Sequence, residues 1–243
     1  SLLIAADEEG KISFAGESAD FRKTEPDFET KFKEVIVDAG NKAVFPGLVD
    51  SHTHLVFAAR REDEFAMKSR GATYEEIAAA GGGIINSTLK TKKASLEEIV
   101  EQASKRLSQL VSYGVTTVEI KSGYGLDTES ELKLLTAIAE LKKRFPVEIV
   151  SIFLGAHAYP PEFKNDHEGY ISLINNEMLP EIKAHNLAEF ADVFCEEGYF
   201  SLKETEKLML RAKELGFGLK LHADEFHSLG GTELAAEMGA ASV

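Results

Sequence analysis

A single cysteine, Cys195, in 243 residues excludes an intrachain disulfide and makes a reducing cytoplasm the simplest home. No stretch approaches the roughly 18 uninterrupted apolar residues of a membrane-crossing helix. The opening SLLIAADEEG has neither the basic n-region nor the apolar core of a signal peptide. Basic residues are scarce, 27 Lys and Arg against 41 Asp and Glu, for a formal net charge of −14. That balance disfavours nucleic acid and anionic membrane as partners. It leaves room for a small anionic substrate in a locally basic pocket. Solenoid repeats and low-complexity tracts are absent as well. What is present, 44% hydrophobic and 28% charged residues, suffices for a sizeable core and excludes disordered, collagenous and coiled-coil chains.

The texture changes near Pro46. Residues 1–45 read as β-only, with one hairpin around Glu9-Gly10 and a second strand pair turning at Gly40-Asn41. Beyond Pro46, short apolar runs alternate with amphipathic stretches. Strands are predicted at Gly47–Leu55, Val115–Ser122, Val147–Ala156, Ala191–Cys195 and Gly218–Ala223, and Ala240–Val243 reads as the start of a sixth. Ser95–Glu98, Thr128–Glu131 and Ser201–Glu204 each have the polar-x-x-Glu pattern that opens a helix. Gly114 stands where a terminating glycine belongs. Such alternation predicts a parallel α/β architecture. A (β/α)8 barrel takes roughly 250 residues, and about 200 follow Pro46. The chain therefore reads as a barrel stopping about two βα units short, a fragment of a longer protein.

His52 and His54 lie two apart on a predicted strand, so their side chains share a face. Two imidazoles at the C-terminal end of a barrel strand can bind one metal ion. Two surface histidines would look the same, but the context is richer. His222 ends a later strand in Leu221-His-Ala-Asp-Glu225, and His157 ends another in Leu154-Gly-Ala-His157. Strand C-termini converge on one mouth of a barrel. His167, His185 and His227 fall on loops or helices. Cys195 reads as a small buried hydrophobe. Gly81-Gly-Gly83 lacks the following lysine of a phosphate loop and reads as a mouth loop within the long Val56–Leu89 connection.

The segments FPGLVDSHTHLVFAARREDEF, GGGI, GVTTVEIKSGYGLD, FLGAHA, DVFCEEGYF and KLHADE resemble, in order and spacing, the imidazolonepropionase family of the metal-dependent amidohydrolase superfamily. The resemblance runs from about residue 40 onward. It implies a (β/α)8 TIM-type barrel, C-terminally incomplete here and occupying residues 46–243, with residues 1–45 as part of a small β-sandwich. It implies hydrolysis of the ring amide bond of 4-imidazolone-5-propanoate, a small anionic substrate, to N-formimidoyl-L-glutamate in histidine degradation. One zinc or iron ion and a homodimer are implied too. By position, His52, His54 and His222 match metal ligands, Arg61, Tyr124 and His157 match substrate-binding residues, and Glu225 matches the catalytic carboxylate that contacts the ring. A further histidine after the sixth strand and an aspartate at the eighth are expected beyond Val243.

These assignments suit the chemistry. A metal held by imidazoles and a carboxylate can lower the pKa of bound water towards 7. A propionate calls for the bidentate guanidinium fork, although either Arg60 or Arg61 could face the mouth. Strict alternation places Asp224, not Glu225, on the face of His222, so Asp224 is a candidate for fixing an imidazole tautomer. Glu196 and Glu197 read as supporting or surface residues. The competing enzyme is another amidohydrolase, such as a nucleobase deaminase, which would share His52 and His54 without needing Arg61.

Overall fold

The structure, a computed structural model, describes residues 2–40, 42–58, 62–73, 76 and 82–243, with Asp63 described by its backbone alone. The chain divides into two units, Ser1–Pro46 and Gly47–Val243.

In the first unit, β1 (Leu2–Ala6) and β2 (Ile12–Glu17) form an antiparallel hairpin. Its turn is closed by the Asp7 carboxylate, which accepts from the backbone N–H groups of Glu9 and Lys11. The β-only expectation fails next. Two short helices follow, α1 (Ser18–Thr24) and α2 (Phe28–Lys31). Phe14, Phe21 and Phe28 explain them: their rings meet in sequence at 5.0 and 5.3 Å, a packing that two short helices with a turn between them allow and an extended strand would not. The strand pair expected around Gly40-Asn41 is also not formed among the described residues. Val35, Val37, Val44 and Phe45 stay exposed. Strand propensity acts through burial on a sheet face, and this unit offers those residues none.

In the second unit, β3 (Leu48–Thr53), β4 (Val115–Lys121), β5 (Glu148–Ala156), β6 (Phe190–Cys195) and β7 (Gly218–Ala223) form one parallel sheet in sequence order. Every expected parallel strand is there. Ser242 makes an isolated parallel bridge to Lys220, within the stretch where a sixth strand was expected to start. The connections carry α3 (Glu62–Ser69), α4 (Ile84–Lys93), α5 (Leu96–Ser112), α6 (Thr128–Arg144), α7 (His167–Leu173), a π-helical stretch at Ile174–Met178, α8 (Leu179–Ala184), α9 (Leu202–Glu214) and α10 (Gly231–Met238). Sequential parallel strands with helical crossovers are the repeating unit of a (β/α) barrel.

Local chemistry sets the helix ends. Ser95 with Glu98, and Ser201 with Glu204, form complete capping boxes. Tyr113 caps the end of α5, and Gly114 follows it in the left-handed region. At α6 the cap differs from expectation. Asp127 accepts from Ser130 N–H at 2.7 Å, and Glu131 points elsewhere.

The two faces of the sheet differ. Val118, Ile120, Ile149, Phe153, Ala191, Val193, Leu219 and Leu221 join the helices in one hydrophobic core. Alternation sends Glu119, Lys121, Asp192, Lys220 and His222 to the other face. There Lys121 bridges Glu119 and Asp192 at 2.5 and 2.7 Å, and Lys220 reaches Glu119 at 2.5 Å. Two cations meet two anions, so the buried charges cancel.

The sheet is curled into a half-barrel. A flat sheet would hold its edge strands β3 and β7 roughly 19 Å apart, at about 4.8 Å per step. Instead His52 Nε2 on β3 lies 3.1 Å from His222 Nε2 on β7.

Candidate metal and substrate site

At the C-terminal ends of the strands, His52, His54 and His222 converge with their ligand atoms within 4.8 Å of one another. His52 Nε2 lies 3.3 Å from His54 Nε2 and 3.1 Å from His222 Nε2. Facing imidazole nitrogens this close call for a proton or a cation between them. Burial, then the neighbouring His157, His222 and His52, push His54 down to about 2, so its ring is neutral with a free lone pair. His52 is lowered as well, by burial first and then by His222. His54 Nδ1 is buried without a hydrogen-bond partner. The donor set fits a metal that accepts neutral imidazole, as zinc and iron both do.

Behind His222 stands a residue that sequence reasoning missed. Asp192 accepts from His222 Nδ1 at 3.1 Å and from Lys121 Nζ at 2.7 Å. Nδ1 is thereby the protonated nitrogen, and Nε2 turns its lone pair towards His52. Burial would raise the Asp192 carboxyl, but the hydrogen bond it accepts from His222 and the Lys121 ammonium beside it outweigh burial and hold the group below the ordinary carboxylate range. The signal was present in the sequence: Asp192 interrupts an otherwise apolar strand.

Asp224, the sequence candidate for that task, does not perform it. Its backbone has turned left-handed, φ 57°, and its carboxylate accepts from Leu229 N–H and the Thr232 hydroxyl. Alternation no longer applies once the strand has ended. Glu225 follows on the same turn and is exposed. Glu196 fastens that turn. It is 1% exposed, and its carboxylate accepts from Phe226 N–H at 2.8 Å, His227 N–H at 3.3 Å and the His227 ring at 2.9 Å.

Tyr124 and His157 flank the histidines on the β4–β5 side. Their rings lie 5.3 Å apart, and each ring is within 6 Å of His54, at 5.8 and 5.3 Å. His157 Nδ1 sits 2.8 Å from the Gly123 carbonyl, which can only accept. The proton shared between them is therefore on Nδ1. Arg60 and Arg61 lie outside the described residues, as does Gly81 of the glycine triplet. The segment leading to the arginines is braced: Arg106 donates to the Leu55 and Phe57 carbonyls at 2.7 and 3.0 Å and stacks on the Phe57 ring at 3.6 Å. Cys195 is buried and free.

An imidazolonepropionase of Alkaliphilus oremlandii is 54% identical over 212 residues, covering 87% of this chain and 50% of the relative. One of Bacillus thuringiensis is 51% identical over 235 residues, covering 97% of this chain and 54% of the relative. The chain spans about half the length of the curated relatives it matches. Comparison with protein-family models finds no match. Among solved structures, 5-methylcytosine deaminase of Klebsiella pneumoniae with phosphonocytosine superimposes with a TM-score of 0.56 at 18% identity, covering 84% of this chain and 47% of that one. Adenine deaminase of Arthrobacter aurescens gives 0.50 at 18%, covering 80% and 62%. At that identity the likeness speaks to fold alone.

The parallel half-barrel is the fold the chain shares with these solved structures, and its histidines stand at the strand ends. Identity of 51–54% along most of its length makes the chain a homologue of the imidazolonepropionases.

Proposed function

We propose that the full-length protein hydrolyses the ring amide bond of 4-imidazolone-5-propanoate, adding water to give N-formimidoyl-L-glutamate in histidine degradation. The observation that carries this reading is the meeting of His52, His54 and His222 from opposite edges of the sheet. These three residues would hold one zinc or iron ion. When bound, the ion supplies Lewis-acid polarisation and acidifies water. Asp192 keeps His222 in the tautomer that ligation requires.

On the substrate side, Tyr124 and His157 hold the ring. Arg61 clasps the propionate through its fork. Glu225 contacts the ring, on a turn that Glu196 fixes. The remaining ligand and proton-transfer groups belong to the further length that the relatives carry. Residues 1–45 contribute to a small β-sandwich and residues 46–243 to the catalytic barrel. The protein works as a cytoplasmic homodimer, without nucleic acid or membrane; among the described residues no helix is long and apolar enough to cross a bilayer.

Turnover by the full-length, metal-loaded protein tests the reading. Imidazolone propionate should be hydrolysed, and cytosine, 5-methylcytosine and adenine should be left intact. Deamination of a nucleobase without hydrolysis of the imidazolone would replace this reading with the deaminase one.

A further inference from the structure

Glu131 is fully buried, yet it is neither part of the capping box its position suggested nor one of the residues assigned to the reaction. From the first turn of α6 it turns back beneath the loop that follows β4. One carboxylate oxygen accepts from Gly123 N–H at 3.0 Å; the other accepts from Gly125 N–H at 2.7 Å and Leu126 N–H at 3.0 Å. The loop is one that needs holding. Gly123 has φ 103°, and Leu126, a bulky residue, sits in the left-handed region at φ 56°. It carries Tyr124 towards His54, and its Gly123 carbonyl fixes the proton on His157. A side chain on Gly125 would come within 2.6 Å of Glu131 N, so loop and helix are in direct backbone apposition.

We infer that Glu131 is the positioning residue of the substrate pocket, setting Tyr124 and His157 by gripping the backbone between them from behind. This rests on the reading of Tyr124 and His157 as substrate contacts. Both oxygens are used as acceptors, and that makes the carboxylate irreplaceable by an amide. In Glu131→Gln one of the two oxygens becomes an NH2 group, which then faces a backbone N–H, donor against donor.

The test uses the full-length metal-loaded enzyme with Glu131→Gln, Tyr124→Phe, the double variant and Gly125→Ala, which pushes loop and helix apart while leaving the carboxylate intact. Glu131→Gln should keep its metal and raise KM about tenfold with kcat little changed, the mark of lost binding shared by ground and transition states. Amide exchange should quicken at Gly123, Gly125 and Leu126 while Val115–Lys121 stays protected. The double variant should raise KM by less than the product of the single effects. Gly125→Ala should reproduce the KM and exchange effects if Glu131→Gln does not fold.

Unchanged exchange in the loop together with unchanged KM, in either folded variant, overturns the inference. So does a uniform rise in exchange throughout the second unit with KM unaffected, which would make Glu131 a core residue and no more. The substrate reading fails separately: if Tyr124→Phe leaves KM unchanged, Tyr124 is not a contact, and loop exchange alone then decides whether Glu131 holds the backbone.

Discussion

Asp192 touches a histidine on one side and a buried lysine on the other, so its loss has two readouts. Asp192→Asn keeps the shape but removes the charge. In the full-length protein it should cost roughly 10- to 100-fold in metal affinity, measured as retention against graded chelator. It should also lower the melting temperature, because Lys121 would keep only Glu119 as an anionic partner. Arg61→Ala makes a contrasting prediction. If the arginine clasps the propionate, kcat/KM falls by about ten- to a hundredfold, the worth of one charge-assisted contact. Metal content stays the same, Arg61→Lys recovers only part, and an analogue without the carboxylate loses little further. An equal loss on both substrates would transfer the role to Arg60. The histidines were legible because alternation and strand ends mark them directly. Asp192 was not, since one aspartate in Phe190–Cys195 gains its meaning only when β6 and β7 are neighbours. Its companions Glu119, Lys121 and Lys220 carried the same hint, charges at alternate positions of apolar strands.

At the scale of elements, the turn after β7 depends on Glu196. Burial would raise this carboxyl, but the N–H groups of Phe226 and Glu197, with the ring and N–H of His227, bring it down to about 2. A depressed carboxylate stabilises fully above the unfolded glutamate value of about 4.3 and loses that contribution as pH falls through the folded one. The amide resonances of Phe226 and His227 should therefore hold their positions through the ordinary glutamate range and move only as pH approaches about 2. Titration of those amides near the ordinary value would detach Glu196 from the turn. Helix starts were legible where the capping box closes on its own helix, as at Ser95 with Glu98 and Ser201 with Glu204. At α6 the same pattern misled, because Glu131 bonds a loop that precedes its own helix. In Ser1–Pro46 periodicity misled more broadly, because aromatic contacts among Phe14, Phe21 and Phe28 override it.

For the whole molecule, the half-barrel leaves β3 without a strand on its outer side among the described residues, with Leu48 and Val49 55% and 66% exposed. An open edge with apolar residues pairs with whatever comes near. Expressed alone, this 243-residue chain should self-associate in sedimentation, and the full-length protein should not do so through this edge. A substitution of Val49 by Lys should relieve the association of the isolated chain. Strand order was legible at this scale because a right-handed βα crossover leaves few alternatives. The curl was not, since no local pattern says that the first and fifth strands of the sheet bring their side chains into contact. That contact also has a consequence in time. His52 and His222 are 170 residues apart, while each strand pairs with its sequence neighbour. On the ribosome, at about 5–20 residues per second, the strands can dock one by one as they emerge, but the third imidazole trails the first by roughly ten to thirty seconds. Throughout that interval the nascent chain presents only the His52–His54 pair, so capture of the ion must wait until almost all of this sheet has been synthesised.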